Sequence, residues 1–133
     1  LDVVRSSRGL AAGDLDLDGD LDLVVTNSDD LSEVYENVTS PAGDWLQVDL
    51  IDVRGGGKNT AAIGARVELE TGGRKQVREV RTASSYLSQS ALTLHFGLGT
   101  AARADRLTIR WPDGRVQVLT RLAAGRRVVV FEP

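Results

Sequence analysis

Cysteine and methionine are both absent from this chain of 133 residues, histidine occurs once, and aromatic residues make up 5%. Without cysteine there are no disulfides, and the compartment cannot be read from redox chemistry. A chain with no methionine is not an intact translation product, so an upstream segment is expected to have been removed. Nothing approaches 18 consecutive apolar residues, so no transmembrane helix is expected. What remains is ordinary for a globular domain with a real core: 41% apolar and 26% charged residues.

The net charge of −3 hides an asymmetry. Residues 1–43 hold ten acids and two arginines, a balance of −8, whereas residues 44–133 have a balance of +5. The turn-rich stretch TSPAGD (39–44) marks the change. The two pieces therefore carry different electrostatic roles. The bases of the second piece are spread singly along strands with little aromatic interleaving. They read as a solvated face, and no nucleic-acid partner is expected.

Helical periodicity is scarce and period-two alternation is frequent. Leu46, Val48 and Leu50 alternate with polar neighbours, as do Ala65, Val67 and Leu69, then Leu92, Leu94 and Phe96, then Leu107, Ile109 and Trp111. Residues 21–26, 33–37, 75–82, 115–120 and 127–132 are further strand candidates, which makes nine. Turn chemistry separates them: RGGGK (54–58), TGGR (71–74) and WPDGR (111–115) supply glycine for positive φ and proline for a preset turn. A short helical turn is expected within GTAARADR (99–106). The fold class expected is all-β, an antiparallel β-sandwich at 44–133 preceded by a β-hairpin piece at 1–43.

Residues 14–22 read DLDLDGDLD. Five carboxylates in nine residues repel one another unless something positive lies between them. As a loop, Asp14, Asp16 and Asp18 occupy positions 1, 3 and 5. Gly19 at position 6 allows a sharp bend, Asp20 at position 7 offers its backbone carbonyl, and Asp22 at position 9 adds a fourth carboxylate. Oxygen ligands at this spacing suit calcium, which takes six to eight of them at roughly 2.3–2.6 Å. Magnesium is the lesser candidate, because it demands octahedral geometry and keeps its waters. The loop is not an EF-hand: position 12 is Val25, not a bidentate glutamate, and an apolar strand follows. Asp29 and Asp30 read as turn formers and solubilising charge.

Other constellations point away from catalysis. His95 lies mid-strand opposite Leu94 and Phe96, where a hydrogen-bonding role outweighs that of general base or ligand. Nothing places a base and an orienting acid beside a serine. Asp49, Glu68, Glu70 and Glu79 read as outward strand positions balanced by Arg66, Arg78 and Arg81. The polar run RTASSYLSQS (81–90) is the candidate ligand-binding stretch. Ser85, Tyr86 and Gln89 there, with His95, could supply hydrogen bonds and a stacking ring for a sugar or peptide. The plainer alternative is a loop whose serines satisfy local backbone groups. NVT (37–39) matches a glycosylation sequon and carries little weight.

On these residues, AAGDLDLDGDLDLVVTN (11–27) resembles an FG-GAP/VCBS repeat, the integrin-α-like blade of a β-propeller. WLQVDLI (45–51), AIGARVELETGGRKQVREV (62–80), SSYLSQS (84–90), LHFGLG (94–99) and ADRLTIRWPDGRVQVL (104–119) resemble the ASPIC/UnbV domain. The first resemblance implies a calcium-binding loop at the aspartates. The second implies a secreted or cell-envelope protein with adhesion, matrix or carbohydrate-related roles and no established reaction. A single partial blade cannot close a propeller, and two strands alone are marginal in water. Packing on the sandwich, on upstream blades or, through self-association into a larger assembly, on a neighbouring copy is therefore expected. The function expected is an extracellular, calcium-stabilised adhesion or assembly module without catalysis of its own. Its partner would be an extracellular protein or glycan. The alternative is a carbohydrate-binding accessory domain of a secreted enzyme.

Overall fold

Where apolar and polar residues alternate, the chain forms paired strands. The computed structural model describes residues 4–39, 43–54 and 57–133. The charge boundary at residues 40–42 and the first two glycines of RGGGK lie outside the described residues. The chain forms two compact units. The first comprises the N-terminal segment up to the charge boundary together with residues 82–91, and the second comprises the rest.

In the first unit, β1 (Ser7–Gly13), β2 (Asp22–Asn27) and β3 (Glu33–Tyr35) form an antiparallel sheet in the order β1-β2-β3. Register runs from Gly9 opposite Thr26 to Gly13 opposite Asp22, with an irregularity between Ser7 and Gly9. Strand β1, SRGLAAG, lies outside the nine candidates. Its glycines and alanines have low strand propensity, and only pairing with the valine-rich β2 makes it a strand. Among the described residues, those buried in this unit are Gly9, Gly13, Gly19 and Asp22. A three-stranded sheet ordinarily relies on an apolar face. This one buries no large apolar side chain among the described residues.

The second unit holds β4 (Asp44–Ile51), β5 (Arg66–Thr71), β6 (Arg74–Glu79), β7 (Leu94–Gly99), β8 (Arg103–Arg110), β9 (Val116–Ala123) and β10 (Arg126–Phe131). They form two sheets, β10-β4-β7 and β6-β5-β8-β9. The inward faces supply one core. Leu46, Val48 and Leu50 of β4 and Phe96 of β7 meet Val67 and Leu69 of β5 and Leu107 and Ile109 of β8. Each such fully buried side chain contributes about 1.5–3 kcal/mol. Trp111 closes the core, and its indole N–H donates to Gln117 Oε1 at 3.1 Å.

Two details depart from the expected pattern. β10 pairs β4 in parallel, so that sheet is mixed rather than wholly antiparallel. Gly125, at φ +66°, turns the chain out of β9, and its N–H donates to the Trp45 carbonyl at 2.8 Å. This starts β10 alongside β4 in the same direction. The second detail is GTAARADR, which contains no helix: β8 starts at Arg103, and a turn closed by Ala101 N–H on the Leu98 carbonyl precedes it. The turns at TGGR and WPDGR form as read. Gly72, Gly73 and Gly114 all have positive φ, and Trp111 and Arg115 close the second hairpin at 2.9 Å.

Candidate functional site

The loop between β1 and β2 carries the five aspartates. Leu15 and Leu17 are exposed, so the alternation of residues 14–22 is not that of a strand with an apolar inner face. Leu17 at φ +66° and Gly19 at φ +101° bend the chain sharply. Side-chain oxygens lock the bend. Gly19 N–H donates to Asp14 Oδ2 at 3.1 Å, Asp18 N–H to Asp16 Oδ1 at 3.2 Å, and Asp20 N–H to Asp18 Oδ1 at 3.0 Å. The structure brings Asp14, Asp16 and Asp18 together, with one oxygen from each lying within 4.8 Å of the others.

Asp22 and Asp20 stand differently. Asp22 is buried, and both its oxygens accept backbone N–H groups, from Leu15 at 2.8 Å and from Asn37 at 2.9 Å. These bonds, Asn37 first, hold its carboxyl below the usual range. Asp22 thus ties the start of the loop and the segment after β3 to the first residue of β2. Asp20 is the reverse case. Its Oδ1 is buried with no hydrogen-bond partner among the described residues. Burial pushes its carboxyl up, and the charges of Asp18, Asp22, Asp16 and Asp14 push in the same direction. A cation among these oxygens would reverse both effects. The donor set is all oxygen, which fits a hard divalent ion such as calcium.

Asp30 has a specific partner: Arg5 reaches it at 2.5 Å and also reaches Glu33 at 3.2 Å. Arg5 was not singled out from the sequence, because its partners lie on a turn and a short strand more than twenty residues away.

Residues 82–91 form a tight loop attached to β1. Ser85 and Ser88 make an isolated β-bridge, and Ser88 Oγ donates to the Tyr86 carbonyl at 2.9 Å. Ser84 Oγ and Ser90 Oγ lie 3.0 Å apart. Ala91 N–H donates to the Ala12 carbonyl at 2.9 Å, and Ala12 N–H donates to Ser90 Oγ at 3.1 Å. The serines thus satisfy backbone groups, while Tyr86 and Leu87 at the tip are 66% and 90% exposed. Gln89 is exposed on the same loop. His95 is not part of it: that residue lies on β7 of the second unit, opposite Gln47.

Residues 55–133 match the family model described as ASPIC and UnbV. That is more than half of the chain, and this all-β protein belongs to the ASPIC/UnbV family. It is also similar to cartilage acidic protein 1 of Xenopus tropicalis, with 31% identity over 112 residues. The match covers 81% of this chain but only 16% of that relative's length.

Proposed function

We propose that the chain is an extracellular or cell-envelope module in which calcium takes the place of a core in the first unit, and that its output is adhesion or assembly without catalysis of its own. In this reading residues 11–27 are an FG-GAP/VCBS-type calcium loop, with Asp14, Asp16 and Asp18 as carboxylate ligands and Asp20 and Asp22 completing the acidic shell. The observation that carries it is the meeting of two features in one unit. Three carboxylates converge within 4.8 Å, and the sheet they belong to buries only glycines and an aspartate among the described residues. Metal binding can supply the folding free energy that a small apolar face does not. The similarity to a cartilage acidic protein supports an extracellular setting, where calcium is millimolar and a site of about 10⁻⁴ M is mostly filled. Isothermal titration with calcium tests the reading. Binding that is lost in Asp18→Ala supports it, and no calcium binding by the wild-type chain overturns it.

A second reading, a carbohydrate-binding accessory role, is favoured by one observation. Tyr86 is displayed to solvent on a loop whose C-terminal end is hydrogen-bonded to β1 through Ser90 Oγ and the Ala91 N–H.

A further inference from the structure

The first unit contains a cleft of about 650 Å³ lined by Ser7, Arg8, Ser28 and Tyr86. Three different stretches of chain build it: β1, the turn after β2, and the serine loop. The loop's place is set by steric fit, because it lies so close over Gly9 that a Cβ there would fall 2.2 Å from Ser88 Oγ and 3.1 Å from the Tyr86 carbonyl oxygen. Leu87 at the tip has φ +47°, an uncommon conformation for a branched apolar residue. A firmly held loop that displays an aromatic ring offers a stacking platform with little ordering cost on binding.

The two arginines of the acidic segment differ. Arg5 is engaged by Asp30 and Glu33. Arg8, exposed on the cleft wall, makes no ion pair among the described residues, and the cleft lining holds no carboxylate to compete for it. Its guanidinium presents a planar fork of donors that matches a carboxylate. Ser7 and Ser28 add hydroxyls beside it, and Ser7 Oγ already donates to Asn27 Oδ1 at 2.7 Å, which leaves its oxygen to accept. A ligand that satisfies all four side chains has a flat apolar face, several hydroxyls and one anionic group.

We propose that this cleft binds an acidic saccharide: a pyranose ring packed on Tyr86, its carboxylate on Arg8 and its hydroxyls on Ser7 and Ser28. The inference rests on the carbohydrate reading and narrows it to a uronate-type sugar. The segment's balance of −8 disfavours a long polyanion, so the site takes a short oligosaccharide with one charged ring seated.

The test is calorimetric titration of the chain, at fixed calcium, with trigalacturonate and with the same trisaccharide fully methyl-esterified. The acid is expected to bind at least about ten-fold tighter than the ester, the value of a charge-assisted hydrogen-bond pair. Arg8→Gln should remove that advantage and leave the ester unchanged. Tyr86→Ala should weaken both sugars by about five- to ten-fold. Both side chains are exposed, so unchanged melting temperatures confirm that the variants are folded. Asp18→Ala, run in parallel at a temperature where hydrogen exchange across β1 and β2 shows its first unit still folded, should retain acid binding; if the folded variant loses it, the sugar is held through the aspartate loop and the proposal is overturned. Equal binding of acid and ester, or acid binding insensitive to Arg8→Gln, overturns the acidic specificity and leaves the carbohydrate reading standing. Binding of neither sugar overturns both.

Discussion

Gly9 lies directly beneath Ser88, so close that a side chain at position 9 would occupy the space of the Ser88 hydroxyl. The contact joins residues 79 positions apart in the sequence and seats the serine loop on β1. Gly9 carries no positive φ, so what the position requires is space rather than an unusual backbone. Gly9→Val is expected to lift the loop and lower the melting temperature by several degrees. Hydrogen exchange at the Ala12 and Ala91 amides, which are bonded across this junction, checks it. Unchanged protection at both would show that the loop does not depend on Gly9.

Chelation should act on the first unit. For a site of about 10⁻⁴ M in 2 mM calcium, mass action supplies about 2 kcal/mol. EDTA is expected to remove that amount and to raise exchange across β1 and β2. Asp18→Ala should be at least as unstable as the chelated wild type, since it also loses the bond from the Asp20 N–H, and should show no further response to EDTA. A wild-type melting curve indifferent to EDTA contradicts calcium stabilisation.

Asp22 is expected to matter even without a cation. Asp22→Ala leaves the Leu15 and Asn37 amides, part-buried donors, without the buried carboxylate that accepts from both, and losing both charge-assisted bonds is costly. A fall in melting temperature on the order of 10 °C is expected, and it should persist in EDTA. If EDTA abolished the difference, Asp22 would act only through the metal. Asp16→Ala, which removes an exposed carboxylate, is the contrasting variant, because in EDTA only the small cost of its exposed bond from the Asp18 N–H should remain.

The sandwich answers to different changes. Phe96 is fully buried in the core of the second unit, and Phe96→Ala is expected to cost about 3–5 kcal/mol. Denaturant unfolding should show that loss with or without EDTA. A smaller cost that varied with calcium would mean that this core does not stand on its own packing.

Much of the second unit is legible in its side-chain pattern. Leu46, Val48 and Leu50, or Val67 and Leu69, declare a strand and its buried face because strand side chains alternate. Pro112 and Gly114 likewise declare a hairpin, because their backbone preferences are local. Strand β1 is not legible in this way: SRGLAAG has no alternating apolar face, and its partner β2 makes it a strand. The parallel pairing of β10 with β4 is also hidden, since direction depends on where the chain re-enters the sheet and not on β10 itself.

The aspartate loop divides along the same line. Its spacing and the bend at Gly19 are written in DLDLDGDLD, because ligand order along a short loop is a local property. That Asp14, Asp16 and Asp18 converge while Asp22 is taken up by the Leu15 and Asn37 amides depends on the return of the chain after β3. Tyr86 could be singled out as an aromatic among serines, but its neighbours Ser7, Arg8 and Ser28 could not. By itself, then, the sequence determined the all-β class, most strand faces, the principal turns and the acidic loop, all of which follow from short-range periodicity and backbone preference. The tertiary structure alone decided that residues 82–91 join the N-terminal sheet and build a cleft with it. That outcome rests on a steric fit over Gly9 and on hydrogen bonds between residues some eighty positions apart, and no local pattern encodes such contacts.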